Sequence, residues 1–191
     1  MTALELIKRI VVKNKEIQKI CLYAYVYVPL HHEKNPFNHT VWIKRDDFLN
    51  KKYLESLTNN LPPEANLGIF SKVKTISNQY KYLPLVDLDY PKSKEHIKQI
   101  IKMFRKEEIK HGWLVETQGS YHYYSDRLLS YKEWVNFYGK CLCTSIVHSR
   151  ENIEQLTDTR YIGHTLRRGG AVLRFTNNSD KSFVPTVVKR F

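Results

Sequence analysis

Asp87 and Asp89 close an apolar run, Leu83-Pro84-Leu85-Val86-Asp87-Leu88-Asp89-Tyr90. Such a run reads as a buried strand ending in two acids. Side chains alternate along a strand, so Leu85, Asp87 and Asp89 share one face, and Val86, Leu88 and Tyr90 the other. Residues two apart on a strand sit about 6.5–7 Å from one another. Two carboxylates at that spacing can lean onto one divalent ion, or onto a pair about 3.5–4 Å apart. Carboxylate oxygens suit Mg²⁺ and Mn²⁺. An acid among apolar neighbours is costly unless it is paired or ligating. Taken alone, the same pattern also fits two solvated acids at a strand end.

Further chemistry lies downstream. Gln118-Gly119-Ser120-Tyr121-His122-Tyr123-Tyr124 follows the apolar run Trp113–Thr117 at once. If extended, it puts Ser120 and His122 on one face and Tyr121 and Tyr123 on the other. A hydroxyl beside an imidazole makes a pair of donors for phosphate oxygens. Gly119 lets a backbone or a phosphate come close. Asp158-Thr159-Arg160-Tyr161-Ile162-Gly163-His164-Thr165-Leu166-Arg167-Arg168 then gathers basic and imidazole side chains around one acid. That composition suggests an anion site beside a third metal ligand, against the plainer alternative of a solvated basic loop. Arg174 interrupts the apolar strand Ala171–Phe175, and a buried guanidinium needs a partner. His31, His32, Glu33 and His39 lack the second half of a tetrahedral metal site and read as a polar loop.

The elements that must position these residues follow from periodicity. Leu4 to Ile20 is predicted helical, with Leu4, Ile7, Val11 and Ile17 on one face. Cys21–Val28 is a strand of alternating tyrosines, and Val41–Ile43 a short one. Asp46 or Asp47 caps a helix through Phe48, Leu49, Leu54 and Leu57, broken at Asn59–Pro63. A strand around Ile69 and a lysine-rich loop come next, with a lobe boundary near Asn78. Pro91 and Ser93 open a helix running to about Lys110, its buried stripe Ile97, Ile100, Ile101 and Phe104. His111-Gly112 closes it, glycine suiting a left-handed cap. Strand, helix and strand in so few residues make a β-α-β unit. Ser130-Tyr131-Lys132-Glu133 is a capping box before a helix that packs through Trp134, Val135, Tyr138 and Leu142. Val184–Phe191 adds a last strand.

Composition narrows the function classes. The 191 residues suit one domain, divided here into an N-terminal α/β lobe (1–78) and a second lobe (79–191). The net charge of +12 makes a field that draws phosphates, and 13 tyrosines, 8 phenylalanines and 3 tryptophans offer stacking surfaces. No apolar run is long enough to span a membrane, and Glu5, Lys8 and Arg9 rule out a signal peptide at the N-terminus. Three cysteines cannot all pair, and Cys141 and Cys143 are too close to frame a zinc site, which places the chain in a reducing, cytoplasmic setting.

The ordered set resembles the catalytic core of the archaeo-eukaryotic primase (primase-polymerase) superfamily, most closely its short stand-alone prokaryotic members. The matching residues run from Asp87-x-Asp89 through Ser120-x-His122 and Asp158 to the arginine strand at Arg174, over about residues 81–176. The resemblance implies an α+β fold, with an RRM-like mixed or antiparallel sheet, packed helices and a small N-terminal α/β lobe. It implies that Asp87, Asp89 and Asp158 hold two Mg²⁺ or Mn²⁺ ions. One ion would activate a 3′-hydroxyl and the other brace the triphosphate. It further implies that Ser120, His122 and Arg174 bind the nucleoside triphosphate. Arg160, His164, Arg167 and Arg168 become contacts to phosphate or template. The implied partners are a single-stranded DNA or RNA template and nucleoside triphosphates. No zinc-binding stem and no appended helical domain is visible, so a protein partner supplying one of those functions is expected for priming.

No apolar run precedes Asp158, and Glu151 and Glu154 stand as alternative third ligands. Two other functions compete with template-directed nucleotidyl transfer. One is a non-catalytic nucleotide- or nucleic-acid-binding module of the same fold. The other is a small glycosyltransferase-like enzyme using Asp-x-Asp for a nucleotide sugar, which the basic balance and the Ser-x-His disfavour.

Overall fold

The computed structural model describes residues 1–26, 38–147, 153–177 and 182–191. His31, His32, Glu33 and Glu151 lie outside the described residues.

Thr2 and Glu5 form a capping box that starts helix α1 (Ala3–Lys13). Its buried face is Leu6, Ile7, Ile10 and Val11, each worth about 1.5–3 kcal/mol of apolar burial. The helix stops well short of Ile20. Asn14 caps it, its Nδ2 donating to the Ile10 and Asp126 carbonyls at 2.9 and 2.8 Å. Ile17 and Ile20 instead belong to strand β1 (Ile17–Val26), where branched side chains fit a pleated surface. Strand β2 (Asn38–Lys44) follows, and His39 lies within it, opposite Ala24.

The single helix expected through Leu57 is two, α2 (Arg45–Leu49) and α3 (Lys51–Asn59). Asn50 separates them because its side chain accepts from Tyr53 N and caps the second. Asp46 and Asp47 sit inside the first turn of α2 rather than capping it. The stretch expected to be part strand and part loop is mostly strand: β3 (Ala65–Thr75) turns at Asn78 into β4 (Tyr80–Tyr82).

The second half begins with β5 (Leu85–Leu88), α4 (Lys94–Lys106), β6 (Trp113–Glu116) and β7 (Tyr121–Tyr124). Ser93 caps α4. This helix ends at Lys106, short of Lys110, with Glu107 as its C-cap and Glu108 just beyond turning to a left-handed φ of 58°; His111 takes the next left-handed angle, φ 63°. Gly112 does not; its bare Cα lies against the Tyr123 ring. Ser130 and Glu133 form the expected capping box of α5 (Tyr131–Leu142). Phe137 and Cys141 pack inward there with Trp134 and Tyr138, whereas Val135 and Leu142 are exposed. The chain then runs through β8 (Ser145–Val147), β9 (Ile153–Gln155), α6 (Thr159–Arg168), β10 (Val172–Arg174) and β11 (Thr186–Arg190).

Two antiparallel sheets result, with a small β8–β9 ribbon, and the fold is α+β. One sheet has the order β10-β3-β1-β2, with β4 also paired to β3. The other has the order β11-β6-β7-β5. Because β7 pairs antiparallel with both β5 and β6, those two strands run parallel with β7 between them. The two halves of the sequence interleave. Strand β10 joins the sheet built from β1 to β4, and Thr2 bridges Thr186 beside the second sheet. A continuous apolar core spans both sheets and reaches Trp134, Tyr138 and Phe104.

Candidate functional site

The site forms where β5 and β7 of the second sheet meet β10 and β1 of the first. Strand β5 buries Leu85, Val86 and Leu88 completely, so it is apolar on both faces except at Asp87. Tyr138 of α5 donates its hydroxyl to the Leu85 carbonyl and pins the strand to the helix. Asp87 lies opposite His122, which in turn lies opposite Val115. The Asp87 side chain is 41% exposed, and its Oδ1 is 3.5 Å from His122 Nε2.

His122 is buried, and that burial, aided by the Arg174 charge, pulls its pKa down to about 3. The Asp87–His122 contact is therefore between a carboxylate and a neutral imidazole at working pH, and not an ion pair. Among the described residues its Nδ1 has no hydrogen-bond partner, nor does the hydroxyl of fully buried Tyr124. Buried polar atoms are costly to leave unpaired, so this pair is suited to a bound polar ligand.

Arg174 approaches from β10 and is buried. Its guanidinium donates to the carbonyls of Thr176 and Phe183, the latter at 3.0 Å. Burial lowers its pKa, while Tyr25, Tyr124 and Asp87 oppose that shift. Three tyrosines lie within electrostatic reach of the acid. Burial pushes Tyr25 up to about 12 and raises Tyr124 and Tyr161 further, and the Asp87 charge adds to each. Sequence reading missed Tyr25 and Tyr161 and touched Tyr124 only among the tyrosines near Ser120 that could gate the sugar. The alternating tyrosines of β1 were a signal for Tyr25; nothing local marks Tyr161.

The other expected ligands are less gathered. Asp89 lies one residue beyond β5 and is exposed, so the alternation that would align it with Asp87 ends at Leu88. Asp158 is the N-cap of α6, its Oδ1 accepting from Arg160 N at 2.8 Å and Tyr161 N at 3.2 Å. An antiparallel bridge between Leu88 and Thr157 nevertheless sets Asp158 next to Asp87 in register, one residue along each chain. Glu154 accepts from the Tyr90 hydroxyl at 3.3 Å. Among the described residues no group of three or more His, Cys, Asp or Glu side chains is gathered for a metal ion. The oxygen donors do fit an ion of the Mg²⁺ kind, which usually takes one or two carboxylates and completes its shell with substrate phosphates and water.

Ser120 is the last residue of the β6–β7 turn and not part of the strand. Its N–H donates to Thr117 Oγ1 at 3.2 Å, and Thr117 N donates to its carbonyl at 2.9 Å. The segment from Thr159 to Arg168 is helix and not loop. Its i, i+4, i+7, i+8 spacing puts Arg160, His164, Arg167 and Arg168 on one face, and Gly169 ends it at φ 71°. Arg168 Nε donates to the Gly170 carbonyl at 3.3 Å.

The model of the archaeo-eukaryotic primase 1D-like family matches residues 46–186, well over half of the chain and every residue of this site except Tyr25. The chain belongs to that family. No curated protein and no solved structure matches it significantly. No helix among the described residues of this primase-like chain is long and apolar enough to cross a membrane.

Burial of neutral His122 has a consequence for stability. Its folded pKa, about 3, lies below the ordinary 6.5. Between those values the unfolded chain binds more protons, so stability is full above pH 6.5 and falls as pH drops toward 3. The limiting slope is about 1.4 kcal/mol per pH unit. Urea unfolding at pH 7 and pH 5 should show wild type losing about 2 kcal/mol more than His122→Gln. Equal losses in the two proteins would exclude this coupling.

Proposed function

We propose that this primase-like chain is a metal-dependent, template-directed nucleotidyltransferase that joins nucleoside triphosphates on a single strand. The observation that carries the reading is the convergence of half-exposed Asp87 with buried His122 and Arg174 where the two sheets meet. This places one carboxylate beside a basic and an imidazole group, in a protein of primase-like family and net charge +12.

In this reading Asp87 is the principal metal carboxylate, with Asp158 and Asp89 completing the set. Bound Mg²⁺ or Mn²⁺ would supply Lewis-acid stabilisation of the charge that builds on the phosphoryl oxygens. Arg174 sets a fixed positive charge at the triphosphate, and its carbonyl partners hold it there before substrate arrives, so little reorganisation is needed. Neutral His122 offers one N–H, enough for one phosphate oxygen, and Ser120 adds a hydroxyl from the hairpin turn. The basic face of α6, with Arg160, His164, Arg167 and Arg168, follows directly on Asp158 and suits template or product phosphates.

Incorporation of labelled nucleotides on single-stranded templates tests the reading, with and without primer, in Mg²⁺ and in Mn²⁺. Product that requires the divalent ion supports it. Product without primer extends it to priming. A second reading, a binding module without chemistry, is favoured by the lack of a gathered three-ligand group among the described residues. It predicts no product under any condition and nucleotide binding indifferent to divalent ions.

A further inference from the structure

We propose that the far end of one face of the first sheet, at exposed Trp42 and Tyr80, is a stacking platform for a single-stranded nucleic acid that continues toward the Asp87 site. Paired residues of antiparallel strands share a face. Starting at the site, Tyr25 lies opposite Asn66. Tyr23 follows, opposite Thr40 and Gly68, and Cys21 opposite Trp42. The far row is Lys19, Lys44 and Lys74. This face is separate from the main core, since Cys21, Tyr23, Phe70 and Val172 form their own small cluster.

The aromatic rings along it form two pairs, half-buried Tyr25 with buried Tyr23 near the site and an exposed pair at the far end. Tyr25 and Tyr23 lie 5.6 Å apart between ring centres, and Trp42 and Tyr80 5.9 Å. Trp42 is 40% exposed and Tyr80 49%, although burial would ordinarily be favourable for rings of that size. Cations lie over the rings: Arg168 is 5.4 Å from the Tyr23 centre and Lys72 is 4.1 Å from that of Tyr80. Gly68 keeps the middle of the face flat, and a Cβ there would meet Val172 at 2.8 Å.

The charge identifies the occupant. No acid occurs in these rows, and three lysines fill the last one. A polyanion whose units carry π-faces matches both the lysines and the exposed rings, and single-stranded DNA or RNA is that ligand. An apolar peptide would leave the lysines unmatched. The inference rests on the nucleotidyltransferase reading for one point alone, that the bound strand is the template.

The test measures binding without nucleotide or divalent ion, so catalysis does not enter. Labelled dT and rU 12-mers are titrated by anisotropy across a salt series, with heparin as a polyanion lacking bases. Trp113 and Trp134 are buried, so Trp42 is the exposed reporter of the three tryptophans. Both oligonucleotides should quench its fluorescence and heparin should not. The Trp42→Ala/Tyr80→Ala double variant should bind about 10-fold or more weakly at an unchanged salt slope. Lys44→Gln/Lys74→Gln should flatten that slope by about 0.7 per lysine. All these positions are at least partly exposed, and melting temperatures near wild type verify folding. Undiminished affinity in the aromatic variant, or quenching by heparin equal to that by oligonucleotide, overturns the platform. If the aromatic variant loses affinity but wild type incorporates no nucleotide, the platform stands and the nucleotidyltransferase reading falls. Active wild type with undiminished aromatic-variant affinity gives the converse.

Discussion

Asp87→Asn should lower nucleotide incorporation by about 10³-fold or more while leaving the melting temperature within a few degrees of wild type. The substitution keeps the shape of the side chain and removes the charge. Asp87 is the one polar break in a strand otherwise apolar on both faces, and it is half-exposed beside His122. Asp87 is not the N-cap residue of a described helix, whereas Asp158 is that of α6. Losing metal-mediated charge stabilisation costs several kcal/mol of the barrier, and about 4 kcal/mol is a thousandfold in rate. Asp158→Asn should instead lower both activity and stability, because the same side chain caps α6, and a lost cap costs about 0.5–2 kcal/mol. Single-turnover incorporation with thermal melts on the same samples separates the two. Activity of Asp87→Asn within tenfold of wild type would remove Asp87 from the metal site.

Gly112→Ala should destabilise the fold by about 3 kcal/mol, lowering the melting temperature by roughly 6–12 °C. A Cβ on Gly112 would sit 2.1 Å from the Tyr123 ring and 2.8 Å from the Tyr124 carbonyl. The ring has little room to retreat. It packs edge-on to Phe104 at 5.1 Å between centres and lies 5.9 Å from both Phe137 and Phe191. The backbone is also held, since Gly112 and Phe191 exchange N–H···O=C bonds of 2.9 and 3.0 Å. Gly119→Ala is the matched control, because a Cβ there meets nothing within 4 Å. Differential scanning calorimetry on both variants reads the contrast, and a Gly112→Ala shift no larger than that of Gly119→Ala would refute it. The displaced ring belongs to β7, the strand that carries His122, so nucleotide affinity should weaken along with stability.

Local patterns carried much of the architecture. The capping box at Ser130 and Glu133 forms as expected because both partners lie within one turn. Ser93 starts α4, and the apolar run before Asp87 is a strand, for similarly local reasons. Predictions failed where two local preferences were near balance. The periodicity through Ile17 suited a helix, but pairing of Ile17 with Thr75, 58 residues on, made it strand. Sequence alone assigns no element to the basic segment after Asp158, and its plainer alternative, a solvated loop, is overturned by helix α6, whose stripe shows only at helical spacing. The helix end at Lys106 was followed by a non-glycine residue, Glu108, in a left-handed angle that no composition rule selects.

The sequence by itself determined the ordered set of chemical groups and the basic surplus, because residue type and short-range periodicity are local properties of the chain; the α+β class followed from the family resemblance which that ordered set carries. Tertiary structure alone decided that Arg174 would arrive on the first sheet while Asp87 and His122 stand on the second. It also brought Tyr25, Tyr124 and Tyr161 within electrostatic reach of the acid, removed Asp89 from the strand, and gave Asp158 a helix to cap. Those outcomes depend on pairings between segments distant in the chain. Which pairing wins is set by burial of the shared core, a quantity that belongs to no single stretch of residues.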